Sequence, residues 1–244
     1  MKRIVSTALL LQSALLPGLL GQGSGGESAA AKLSEVVVDV LWPDQQLVNG
    51  VQYVNRYQGC LGHPYFGETR LQPGSITLSG RIYEGLKLNY DLVTQDLELE
   101  YSGRFGMTNR IIVVNDFVEE FTLGSYQFRK MVLGDTVERY YQVISAPGFT
   151  CYIHWYKKLI PLADNINYLN ECTDADQIFW LDREGRIDGF HNRKSYLSIF
   201  PDTSRKAIRK MMSRLQFRMN SATPEELVRM LEETAQIIRE GGSG

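Results

Sequence analysis

Cysteine is scarce in this chain. Cys60, Cys151 and Cys172 are the only three, and neither Cys60 with His63 nor Cys151 with His154 has a second ligand pair at zinc spacing, so no metal site is expected. In an oxidising compartment any two of the three can pair while the third stays free or buried. Three small buried thiols without a bond fit the sequence as well, and spacing does not choose between these alternatives. An excess of charge is missing too: a formal charge of −2 and a pI near 6.0 give no general attraction to nucleic acid or to an anionic membrane. Nucleic acid is therefore discounted as a partner. Catalytic signatures are equally absent. The sequence holds no Ser nucleophile elbow, no phosphate-binding Gly-Lys loop and no His-Glu-x-x-His run, so no catalytic residue and no cofactor is assigned.

Nor is there an unbroken apolar stretch of the length a membrane span needs, about 20 residues. The apolar run after Lys2 and Arg3, residues 4–20, is interrupted by Ser6, Thr7, Gln12, Ser13 and Pro17 and is followed by Gly21-Gln22. That layout is the one of a secretory signal peptide cleaved near Gly21, with a retained anchor as the competing reading. No Cys follows the run, which excludes a lipid-modified N-terminus of the bacterial lipoprotein kind. Residues 1–21 are accordingly read as a signal peptide and 22–34, poor in apolar side chains, as a flexible leader. The mature chain is expected to be exported, periplasmic or extracellular, with no transmembrane span.

What the chain does have is alternation. Across residues 74–101 the apolar positions recur every second residue: Ile76 and Leu78, then Leu86, Leu88 and Tyr90, then Leu97, Leu99 and Tyr101. Each run places one strand face on a core, while Thr77, Lys87, Asn89, Glu98 and Glu100 are expected to face water. Ser79-Gly80 and residues 91–96 interrupt the pattern with turn formers, which predicts antiparallel hairpins. Further strands are expected at 35–42, at 110–114, over 118–131 with a turn at Gly124-Ser125, and at 137–144 and 149–160 joined around Pro147-Gly148. A last hairpin over 178–190 has its tip at 182–185. The acidic groups there, Asp182, Glu184 and Asp188, fall at a solvated turn, a poor setting for acid–base catalysis.

Past His191 the period becomes helical. Ala207, Ile208, Met211, Met212 and Leu215 form an apolar stripe after Asp202-Thr203, either of which can cap, and Arg205, Lys206, Arg209, Lys210 and Arg214 cover the remaining surface. This predicts a basic amphipathic helix docked on the sheet. A second helix starts at Thr223-Pro224-Glu225-Glu226, with Thr223 as cap, Pro224 first in the helix and Glu226 bonding back to the cap. The expected fold is mainly β (α+β): an antiparallel β-meander over 35–200, curled into an open or partial barrel that hides its edges, with two C-terminal α-helices within 201–240 and a flexible tail at 241–244.

Two places attract a binding role. The loop GCLGHPYF, residues 59–66, carries His63 and Tyr65; aromatic residues plugging one end of the β-structure are the bland alternative, and a catalytic Cys60–His63 pair the less favoured one. Along 151–158, one strand face carries Cys151, Ile153 and Trp155 and the other Tyr152, His154 and Tyr156. The second set is an aromatic row able to stack on a sugar ring or a partner protein if that face is exposed.

The run YEGLKLNYDLVTQDLELEY, the strand-rich middle that follows, and then KSYLSIFP before a charged helix together resemble a group of uncharacterised exported proteins of Bacteroidota-type Gram-negative bacteria. Gly74, Ile76 and Leu78 match an element G-x-(I/V)-x-L. Leu88, Tyr90, Asp91, Gln95 and Leu97 match L-x-Y-(D/N)-x-x-x-(D/Q)-x-L, and Lys194, Ser195, Phe200 and Pro201 match the tail. The resemblance implies an exported β-rich protein and brings no activity with it. The GHPYF loop and the three cysteines lie outside its pattern. The functional expectation is a non-enzymatic envelope or secreted binding module with a protein or glycan partner; the alternative is a carrier holding an apolar ligand in the curved sheet, and a hydrolase ranks below both.

Overall fold

Alternation becomes pairing in the computed structural model of the protein, which describes residues 44–103, 106–163 and 166–241. The signal peptide, the leader, the strand expected at 35–42 and residues 242–244 of the expected tail lie outside the described residues. Two sheets account for the strands: Val51–Gln52 (β1), Cys60–Leu61 (β2), Gln72–Leu78 (β3), Arg81–Tyr90 (β4), Leu97–Ser102 (β5), Thr108–Ile112 (β6), Val118–Leu123 (β7), Tyr126–Val132 (β8), Glu138–Ala146 (β9), Phe149–Tyr156 (β10), Leu159–Pro161 (β11), Asn170–Cys172 (β12), Asp176–Arg183 (β13) and Arg186–Phe190 (β14). The large one is an 11-stranded antiparallel sheet in the order β1-β6-β5-β4-β3-β7-β8-β9-β10-β13-β14. The small one runs β11-β12-β2, with β12 and β2 parallel. The protein is thus mainly β. Among the described residues the two edge strands, β1 and β14, do not meet, and the large sheet is not a closed barrel.

The hairpins fall where the turn chemistry put them. Ser79 and Gly80 both take positive φ, 51° and 78°, the conformation a two-residue turn needs to match the twist of its strands. One strand ends earlier than expected: β10 stops at Tyr156, and 159–161 joins the small sheet instead.

The expectation that one face of the meander is wet is corrected at its centre. Lys87 and Glu100 do face water, paired at 2.9 Å, but Asn89 and Glu98 are buried. The chain upstream explains this. Residues 64–66 run antiparallel to the end of β4, with Phe66 N–H donating to Tyr90 O and Leu92 N–H to Pro64 O, both at 2.9 Å; this pairing sets the Tyr65 side chain as a roof beside Glu98, and Asn89 Nδ2 donates to Thr69 O at 3.2 Å.

On the other face the core is aromatic. Tyr90, Phe121, Phe128 and Tyr140 are all buried and meet edge to face or stacked, at 4.7–5.8 Å between centroids. Tyr90 lies on β4 and Tyr140 on β9, four places apart in the sheet, about 19 Å if the sheet were flat, yet their rings are 5.8 Å apart. Trp155 packs against this cluster and against a second one, in which β9, β10, β13 and β14 bury their faces under the C-terminal helices.

The described residues hold four α-helices: Gln45–Val48 (α1), Arg193–Ser198 (α2), Asp202–Arg214 (α3) and Pro224–Gly241 (α4). The last two were expected. Neither Asp202 nor Thr203 caps α3, however: the cap position is Pro201, and Asp202 pairs with Arg205 inside the first turn. At α4 the capping box forms as expected, with Glu226 N–H bonding to Thr223 Oγ1 at 3.2 Å and Thr223 N–H to Glu226 Oε2 at 2.9 Å. Helix α2 was not anticipated. Asn192 and Ser195 form a second capping box there, which gives Ser195 of the tail motif a structural reason.

Gly74 has one as well. A Cβ at this residue would lie 2.1 Å from Thr122 O, backbone that cannot yield, whereas at Gly80 nothing stands within 4 Å. Gly74→Ala is expected to destabilise the fold by about 3 kcal/mol and Gly80→Ala, which only has to bear a positive φ, by about 1 kcal/mol. Urea denaturation of the two variants checks the order.

Candidate binding cleft

Alternation along β9 and β10 turns Gln142, Ile144, Ile153 and Trp155 to the same side, and the first turn of α4 stands off from that side. Between them opens a cleft of about 400 Å³. Phe66, Tyr126, Trp155 and Leu227 make it largely apolar, and His63, Tyr65, Gln142 and Lys157 supply polar groups. Trp155 Nε1 donates to Gln142 Oε1 at 2.8 Å, which fixes the indole. Phe66 packs edge-on against Trp155, at 5.3 Å between centroids.

The wall opposite α4 is the segment that pairs with the end of β4. His63 and Tyr65 stack there at 6.3 Å, and Lys157 Nζ donates to His63 O at 2.7 Å. Burial lowers the pKa of His63, with the Lys157 charge acting in the same direction, so the imidazole is neutral at pH 7. Its Nδ1 is buried without a hydrogen-bond partner. Burial also lowers the Lys157 ammonium and raises the Tyr65 phenol. The cleft therefore offers an apolar slot, a neutral imidazole and one cation with N–H bonds left for a ligand acceptor.

The five residues expected to bind are not assembled into one site. His63 and Tyr65 line this cleft. His154 and Tyr156, stacked at 6.0 Å, line a more open cavity of about 470 Å³ on the opposite face of β10, with Asp135, Arg139 and Trp180. Tyr152 faces neither and packs against Leu133 and Tyr141. The condition set for the aromatic row, an exposed face, fails for its first two members: Tyr152 is 8% and His154 7% exposed. His154 Nδ1 lies 3.2 Å from Tyr140 O, and burial lowers its pKa. The Cys60–His63 pair does not form either. Cys60 Sγ contacts Leu61 O at 3.5 Å and Cys172 Sγ at 2.9 Å. Trp155, Gln142 and Lys157 were missed as site residues; the period-two pattern that grouped Trp155 with Ile153 was the available signal.

Behind the His63 wall sits the roofed polar cluster. Glu98 pairs with Arg110, whose guanidinium lies over the Tyr53 ring at 4.3 Å, and Tyr53 and Tyr65 share a hydrogen bond of 3.0 Å. Among the described residues no three His, Cys, Asp or Glu side chains converge as metal ligands would, and no helix is long and apolar enough to cross a membrane. Compared with protein-family models, curated proteins and solved structures, the chain finds no match.

Burial pushes the Glu98 carboxyl up from 4.5 to about 7, against the pull of Arg110. The folded chain therefore holds this proton more tightly than the unfolded one. The resulting stability is fully present below 4.5 and is lost as the pH rises through about 7. Glu98→Gln keeps the volume and cannot ionise. The stability of wild type relative to this variant is expected to fall by about 1.4 kcal/mol per pH unit between roughly pH 5 and 7. Urea titrations of both proteins across that range check it, and a constant difference would mean that Arg110 keeps Glu98 ionised throughout.

Proposed function

We propose that the protein is an exported, non-enzymatic binding protein that carries a small amphipathic ligand in the cleft between the large sheet and α4. The observation that carries this reading is the cleft itself: about 400 Å³, a size suited to a small molecule. The ligand it fits has an apolar or aromatic body to lie against Phe66, Trp155 and Leu227, and a polar end with an acceptor for Lys157. Part of the same reading is a sheet curled as an open partial barrel around the aromatic core, supported by the Tyr90–Tyr140 contact. Export is supported by the basic and apolar start of the chain and by the resemblance of its motifs to those of exported β-rich proteins. A second reading, contact with a protein or glycan partner, is favoured by the apolar side chains that the small sheet exposes at Leu61, Leu159 and Ile160.

The probe for the first reading is 1-anilinonaphthalene-8-sulfonate, which joins an aromatic body to an anionic end. It is expected to bind one to one, with fluorescence enhancement and a micromolar Kd. Ala222, part-buried on the cleft rim, is the place to fill the space. Ala222→Trp is expected to weaken binding roughly tenfold or more while leaving the melting temperature nearly unchanged. Equal binding by a folded Ala222→Trp variant would place the probe elsewhere and remove the cleft as the site.

A further inference from the structure

The geometry points to a disulfide between Cys60 and Cys172 that braces the wall of the cleft. The two residues lie on neighbouring strands of the small sheet, where β2 and β12 pair in parallel with Asn170 opposite Cys60 and Glu171 opposite Leu61. Their Sγ atoms stand 2.9 Å apart, closer than the van der Waals separation of two sulfur atoms, so the side chains already point at each other as a cross-link requires. Cys151 is excluded as a partner. It is fully buried on the helix-facing side of β10, with Ile144 and Leu181 opposite it on the adjoining strands.

The bond forms by exchange with a small-molecule disulfide such as oxidised glutathione. Cys60 is half-buried while burial pushes the Cys172 thiol up to about 12, so Cys60 enters first. Its thiolate attacks one sulfur of the oxidant, releasing one thiolate and leaving a mixed disulfide on Cys60. The Cys172 thiolate then attacks the Cys60 sulfur and expels the second thiol. Two cysteine protons pass to the two leaving thiolates and two electrons to the oxidant. The cross-link joins residues 112 apart and ties Cys60, three residues before His63, to an arm that is otherwise held by short strands. That an oxidising compartment supplies the oxidant rests on the export reading; the pairing itself does not.

The test uses the purified full chain incubated with oxidised glutathione, denatured, alkylated and digested with trypsin. The expected result is one alkylated cysteine, Cys151, and residues 57–70 joined to residues 159–183. Three alkylated cysteines, a linkage that includes Cys151, or a lasting glutathione adduct on Cys60 would each overturn the assignment. Reduction is expected to lower the melting temperature of the oxidised protein by about 10 °C and to leave a C60S/C172S variant unaffected. Equal melting temperatures of oxidised and reduced wild type would overturn the bracing role, with no variant needed. Chain recovered from the periplasm of a Gram-negative host reduced, yet oxidised in vitro as described, would count against export and leave the pairing in place.

Discussion

The structure depends on one corner, the turn between β4 and β5. Gln95, at a φ of 64°, bonds there in three directions: its amide N–H groups reach Leu92 O at 2.9 Å and Trp155 O at 3.1 Å, and its oxygen accepts from the Tyr90 hydroxyl. Lys157 N–H adds a bond to Leu92 O at 2.9 Å. These bonds join the end of β10 to the tip of the meander, two parts of the sheet that sequence and strand order keep far apart. Asp91, in the same turn, bonds the backbone of Val93 and Thr94 and takes the Tyr57 hydroxyl at 2.5 Å. The backbone bridge between Tyr65 and Asp91 ties residues 64–66 to the same point. Without this corner the polar cluster would lose its cover and the cleft its wall.

The polar groups of the cleft are each held in place. Its imidazole is kept neutral by burial, its lysine already bonds a backbone carbonyl, and its tryptophan is locked by an amide. The charged groups nearby are compensated in the roofed cluster, where Glu98 and Arg110 face each other between tyrosine rings. Such an arrangement separates the apolar slot from the polar network beside it.

Much of the fold was legible because alternation and turn residues act locally. The hairpin at Ser79-Gly80, the one at Gly124-Ser125 and the Thr223 capping box each need only a few neighbouring residues to be read. What was not legible depends on chain that comes from elsewhere. Asn89 and Glu98 look like a wet face until Tyr65 and Thr69 are brought against them, and period two gives no sign of that cover. The same holds for Tyr152 and His154: spacing placed them correctly on one face and was silent on what packs there. Of the cleft, His63 and Tyr65 were singled out, but their companions Gln142, Trp155 and Leu227 are drawn from strands and a helix 70 or more residues away. No local pattern reports such a meeting.

The parallel pairing of β2 with β12 carries a consequence for how the chain reaches this state. Hairpins close as soon as their second strand exists, but β2 has to wait for a partner more than a hundred residues downstream. Non-local pairings of this kind bear the entropy of a long loop before they return any contact energy. During synthesis, N-terminus first, the strands from β3 to β10 are therefore in hand before the partner of β2 exists. The small sheet can close only once residues 170–172 have emerged; β13 and β14 follow, and α4 later still. The cleft is in this sense the last part of the molecule to form, and a chain cut short before α4 would keep the aromatic cluster but lose both the cleft and part of the second core.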